Sequence, residues 1–135
     1  MVATFDGMAS SIYTQFRSVF GAARPTVPIA WDEVAHTPPD SGAWVRVVVD
    51  FPAQVRAALG VRKWRTAGLV TVQVFTPQGL GGQLARQLAE DVATAFRGIN
   101  LSGIRLRAPS IVRVGVDGQW FQTNVLTEFV ADHTE

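Results

Sequence analysis

The chain offers few side chains able to do chemistry. It holds two histidines, His36 and His133, and no cysteine. Glu33 and His36 stand three apart, the spacing at which one turn of helix presents a carboxylate and an imidazole to a metal ion. That presentation needs a helix, and Thr37-Pro38-Pro39 follows at once, pushing the backbone before each proline toward extended geometry. The pair therefore reads as solvated loop. Gln78-Gly79-Leu80-Gly81-Gly82 lies where a strand gives way to a helix, a place where backbone amides and the helix dipole hold phosphate. No Gly-Lys-Ser/Thr follows, and the dinucleotide pattern would require glycine where Leu84 stands. Gly79 to Gly82 reads as a flexible turn. None of Ser10, Ser11, Ser18, Ser41, Ser102 and Ser110 sits in a Gly-x-Ser-x-Gly elbow. Asp32-Glu33 and Glu90-Asp91 are sequence neighbours whose side chains diverge, so no carboxylate pair for acid–base work emerges. The expectation is a chain that is not an enzyme and takes no metal, nucleotide or other cofactor.

The most unusual local feature is Arg62-Lys63-Trp64-Arg65, three cations around a large aromatic. Two readings stand side by side. In one, the segment is a solvated strand end whose indole tucks into the core. In the other it is a projecting contact arm, because Trp and Arg dominate interface energetics. On the second reading Arg56, Arg62, Lys63, Trp64 and Arg65 are the candidate contact residues.

Composition favours contacts over catalysis. Charged residues make up 17% of the 135, below the roughly 25% usual for soluble domains, while 47% are hydrophobic. So little charge leaves apolar surface facing outward, which usually marks interaction. The charge is also segregated. Phe51 to Ala89 holds Arg56, Arg62, Lys63, Arg65 and Arg86 without an acid, whereas Val114 to Glu135 holds Asp117, Glu128, Asp132 and Glu135 without a base. Such separation suits complementary contacts between subunits. It is weak ground for nucleic-acid recognition, which calls for a dense basic patch. No signal peptide is expected from Met1 to Ser10, which includes Asp6, and no apolar run approaches the ~20 residues of a membrane span. A soluble protein acting where it is made is expected.

The elements that must position these residues follow from periodicity. Phe5, Met8, Ile12, Phe16, Val19 and Phe20 recur at threes and fours, giving an amphipathic helix from about Thr4 to Phe20 with Gly21 to end it. Val27 to Trp31 is a short extended piece, limited by Pro28, and Asp32 to Gly42 is loop. Ala43 to Phe51 alternates as a strand. Residues 52–65 leave two forms open, one helical turn over Ala53 to Leu59 or an extended arm. Trp64 to Thr76 is a strand apolar on both sides, expected to be central and covered on each face. Leu84, Leu88, Val92 and Phe96 form the stripe of a second helix from Gly82 to Arg97, with Gly98 after it. Ile104 to Arg107 pairs locally. Ile111 to Val116 and Gln119 to Val130 form a hairpin turning at Asp117-Gly118. The sum is one α+β domain over residues 1–135: a mixed, mostly antiparallel sheet with two helices packed on one face.

In order and spacing this pattern resembles the tail-terminator (tail-completion) family of long-tailed bacteriophages. The likeness runs through the first helix, Val27-Pro28-Ile29-Ala30-Trp31 and Trp44-Val45-Arg46-Val47. It continues through Gly68 to Pro77 with the Gly-rich turn and Ala-rich helix, and ends at Trp120-Phe121-Gln122-Thr123-Asn124-Val125. The resemblance implies a structural virion protein, assembled in the host cytoplasm and placed at the head-proximal end of the tail. It implies a homo-oligomeric ring, a hexamer, that caps the tail tube, stops tube polymerisation and offers the head–tail joining surface. Its partners would be the tail tube protein and a head–tail connector or neck protein. DNA would pass through without sequence-specific binding, and no membrane would be involved. Arg56, Arg62, Lys63, Trp64 and Arg65 then become candidates for a subunit or tail-tube contact. A neck or head-completion protein of the same virion is the alternative, and a small ligand-binding domain using Gly79 to Gly82 is another.

Overall fold

The computed structural model describes residues 4–32, 39, 42–58, 63–79 and 82–134. Helix α1 spans Phe5–Ala23, capped by Thr4, whose hydroxyl accepts from the Gly7 N–H at 3.0 Å. Met8, Ile12, Phe16 and Phe20 are fully buried along one stripe, as the spacing requires. The helix does not end at Gly21. It runs on to Ala23, and Arg24, held at φ −131° before Pro25, is where it stops, because proline disfavours helical geometry in the residue it follows.

The strands are β1 (Ile29–Trp31), β2 (Trp44–Ala58), β3 (Lys63–Pro77), β4 (Asn100–Leu101), β5 (Ile104–Leu106), β6 (Ser110–Asp117) and β7 (Trp120–Thr134), with α2 (Gln83–Phe96) between β3 and β4. They form one seven-stranded sheet in the order β1-β2-β3-β7-β5-β4, with β6 also on β7. Only β1–β2 is parallel. Both helices lie on one face, so the expected mixed sheet with one-sided helices is what forms.

Alternation sets that face. Val45, Val47 and Val49 stand opposite Val74, Val72 and Val70, and the row continues to Thr123, Val125 and Thr127 on β7. Phe16 stacks on Phe20 at 4.8 Å and on Phe96 at 5.5 Å, closing the two helices over the valines. Arg24 Nε donates to Asp91 Oδ2 at 2.5 Å, tying the end of α1 to α2. Gly68 is opposite Phe129, and the Phe129 ring occupies the space a Cβ on Gly68 would take.

Four further expectations are corrected. Residues 53–58 are not a helical turn but the continuation of β2, because a bulge between Asp50 and Ala53 absorbs Pro52. Leu84 is only half-buried, since α2 turns Ala85, Ala89 and Ala93 inward and these small residues allow close approach. The hairpin is offset by one: Asp117 pairs with Trp120, leaving Gly118 and Gln119 as the loop. Gly118 has φ 62°, and positive φ at the first loop position alone fits a type II′ turn. Finally, β3 is central, between β2 and β7, but among the described residues no helix covers its second face.

Candidate assembly surface

The face away from the helices is built by the alternate residues. Trp44 stacks on Phe75 at 4.2 Å and meets Trp120 edge-on at 6.3 Å; with Ala30 they make a small second apolar cluster. The Arg46 guanidinium lies 5.5 Å from the Trp44 ring. Beyond this cluster Gln73, Gln122, Asn124 and Leu126 are half-buried, and Gln122 Nε2 donates to Asn124 Oδ1 at 2.9 Å.

The sheet's edges are more telling. On β6, Ile111, Val112, Val114 and Val116 are 53%, 47%, 53% and 62% exposed. Among the described residues β6 is paired on one side only, with β7. An edge strand with unpaired backbone groups and apolar side chains on both faces templates pairing with another chain, and monomers blunt such edges with charge or proline. Here β6 carries Arg113, placed 5.5 Å from the Phe121 ring, and Asp117 at its turn end, with no charge among the other six residues. At the other side of the sheet, β1 pairs with β2 only at Val45, Arg46 and Val47. Phe5, 48% exposed, rests there on Phe51 at 4.8 Å. In the sequence β6 is legible only as a hairpin arm. The available signal was that Ile111-Val112-Arg113-Val114-Gly115-Val116 holds four branched aliphatic residues and a single charge.

The cationic segment is strand, not a free arm. Lys63, Trp64 and Arg65 lie on β3 between two partners, opposite Ala58, Arg56 and Val55 on β2 and opposite Thr134, His133 and Asp132 on β7. Trp64 is half-buried. Arg65 donates through Nε and Nη2 to the two carboxylate oxygens of Asp132 at 2.9 and 3.1 Å. Arg105 adds a contact of 3.5 Å to the same carboxylate. The Arg65 hydrogen bonds hold the Asp132 carboxyl below its ordinary range and keep Arg65 more firmly protonated. Part of the charge complementarity expected between subunits is thus met inside one chain. Arg56 lies on β2; Arg62, like Glu33 and His36, lies outside the described residues.

The described residues hold no group of three or more metal-ligating side chains. Among the described residues no helix is long and apolar enough to cross a membrane. At the Gly-rich turn, Gly79 has φ 93° and Gly82 caps α2 without a side-chain bond; Leu80 and Gly81 lie outside the described residues. An open groove of ≈ 690 Å³ runs between α2 and the β6–β7 hairpin, walled by Ala85, Arg86, Ala89, Ile111, Arg113 and Phe121. Among the described residues that line it, the charged groups are both cations, with no acid or imidazole to act as a base.

Comparison with known proteins finds one family, described as "Phage tail terminator protein", whose pattern matches residues 11–124. No curated protein matches. Solved structures share the fold. One aligns at TM-score 0.73 and 22% identity, covering 96% of each chain. Another, a chain of "Virion of native gene transfer agent (GTA) particle", aligns at TM-score 0.62 and 20% identity over 99% of this chain and 100% of its own.

Proposed function

The chain belongs to the phage tail terminator family, and from that premise we propose that it forms a ring on the finished tail tube. The ring, a hexamer at the head-proximal end of the tail, halts addition of tube subunits and gives the head its docking surface. The protein is a structural component of the phage tail. The family match across residues 11–124 carries the reading. The apolar edge on β6 supports it, since four exposed aliphatic side chains on one strand suit a covered surface better than a bare one.

Within this reading the end of the sheet around Trp64 and Arg65, with Arg56, Arg62 and Lys63, is a contact toward a neighbouring subunit or the tube. DNA crosses the ring without sequence-specific binding, and assembly takes place in the host cytoplasm. The test is to polymerise purified tube protein with and without the chain. Tubes capped at one end by a ring, and halted in length, are expected. Binding to portal rather than tube would move the protein to the neck. Thermal stabilisation by phosphate or nucleotides would instead favour a ligand role for the Gly79 to Gly82 turn.

A further inference from the structure

We propose that β6 of one copy pairs with the free outer edge of β2 (residues 48–58) in the next, so that neighbouring subunits share a continuous sheet. The inference rests on the ring reading and names its seam.

Three observations carry it. The first is where apolar surface lies. Among the described residues the exposed large hydrophobics are Phe5, Ile111, Val112, Val114 and Val116. Four are on β6, and the fifth sits on Phe51 at the β2 side of the sheet. A two-fold contact of β6 with itself would cover one patch and leave the other bare. A head-to-tail contact covers both and leaves each copy an edge for its next neighbour, which is the geometry that closes into rings.

The second is backbone. β1 leaves residues 48–58 of β2 without an outer strand among the described residues, longer than the eight residues of β6; Pro52 and the bulge between Asp50 and Ala53 interrupt its row of amides, so pairing would run on the stretches to either side of the proline. One N–H on that edge already shows which way it points: Val49 donates outward to Asp32 Oδ2, at a long 3.4 Å.

The third is charge. The β2 side presents Asp32 and exposed Asp50, while the β6 side presents Arg113 and, at the end of β5, Arg107. None of the four makes an ion pair among the described residues. Opposite signs on opposite edges orient a head-to-tail encounter and oppose like-edge pairing.

The test uses the full chain, alone and with tail tube, by native mass spectrometry and sedimentation. One variant blocks β6 (Val112→Lys with Val116→Lys); the other blocks the β2 side (Phe5→Lys with Asp50→Lys). Each alone should assemble roughly 30-fold or more weakly than wild type. Mixed together they should form a heterodimer that grows no further, because one intact edge remains on each. Variants that form wild-type rings would place the seam elsewhere. A β2-side variant that makes homodimers, with no heterodimer in the mixture, would establish a two-fold β6 seam instead. Wild type that stays monomeric even on tube would overturn the ring reading itself. Hydrogen exchange on the unmodified chain avoids any folding defect. Amides in 110–117 and in 48–58 should both slow on assembly, and slowing at only one edge or neither would overturn the proposal.

Discussion

Replacing Gly68 by alanine tests the packing of the sheet against its helix-side core at one atom. A Cβ added there would lie 2.0 Å from Phe129 Cζ, 2.4 Å from Cε1 and 2.6 Å from Cε2, where carbon contacts normally begin near 3.5 Å. The ring must retreat by roughly 1.5 Å to restore contact. It has little room, being 1% exposed and met edge-on by Phe51 at 5.8 Å. Overpacking costs about 1–3 kcal/mol, and alanine recovers about 0.5–1 kcal/mol of strand propensity over glycine. With so short an approach the cost prevails, and a net loss of about 2 kcal/mol is expected. For a chain of this size that lowers the urea midpoint by about 1 M, read by circular dichroism at a concentration where the chain is monomeric. Phe129→Leu should then cost less in the Gly68→Ala background than in wild type, with a coupling of about 1 kcal/mol. A Gly68→Ala protein as stable as wild type, or Phe129→Leu costing the same in both, would refute the close-approach argument.

Leu88→Ala removes a fully buried side chain facing the core and should cost about 2–5 kcal/mol in the same assay; a cost near zero would mean that α2 presents another face. Asp132, whose carboxyl is held low by its hydrogen bonds from Arg65 and by the Arg65 and Arg105 charges, contributes stability that is present above its unfolded value near 3.8 and lost as pH falls through the folded value below it. Asp132→Asn should therefore be less stable than wild type at pH ~7, with the gap closing below pH ~4, followed as urea midpoint against pH; a gap independent of pH would discount the pair. Trp64→Ala should weaken the subunit or tube contact by about 2 kcal/mol or more, and a folded variant that forms rings and caps tubes fully would remove Trp64 from the contact. Assembly should slow with added salt, as rim charges act mostly on association rate; an unchanged rate would mean charge does not steer it.

The parts of the fold that were legible are those whose pattern is local. Met8, Ile12, Phe16 and Phe20 follow helical spacing, and all are buried. Val45, Val47 and Val49 alternate, and all face the helices. What was not legible depends on partners far along the chain. Pro52 looks like a strand's end, yet β2 continues because β3 supplies a ladder on its inner side and a bulge takes up the proline. Arg65 looks like a free cation until β7 brings Asp132 to it from 67 residues away. Leu84 outranks Ala85 in hydropathy, but the small side chain is the one that fits beneath α2. The surface reading shows the same division. Composition announced apolar exposure, but only the pairing of β6 on a single side shows where that exposure lies.

The place of β7 in the sheet has a consequence for how the polypeptide acquires its shape during synthesis. β7 pairs with β3 along the whole of their length and with β5 and β6 on its other side, yet it follows all of them in chain order. The long ribbon of β2 and β3 can close early, but β5 and β6 leave the ribosome before the strand that receives them. β6 and β7 are joined by a two-residue loop, so they close on each other within about 1–10 μs once both are free. Docking of that hairpin onto β3, with Lys63 opposite Thr134, is a distant closure and is the slow step. Until it is complete the core side chains of β3 and β7, Val72, Val125 and Phe129 among them, stand in water beside other nascent copies. Expression yield should therefore respond to growth temperature and chaperone supply more strongly than the stability of the finished sheet would suggest.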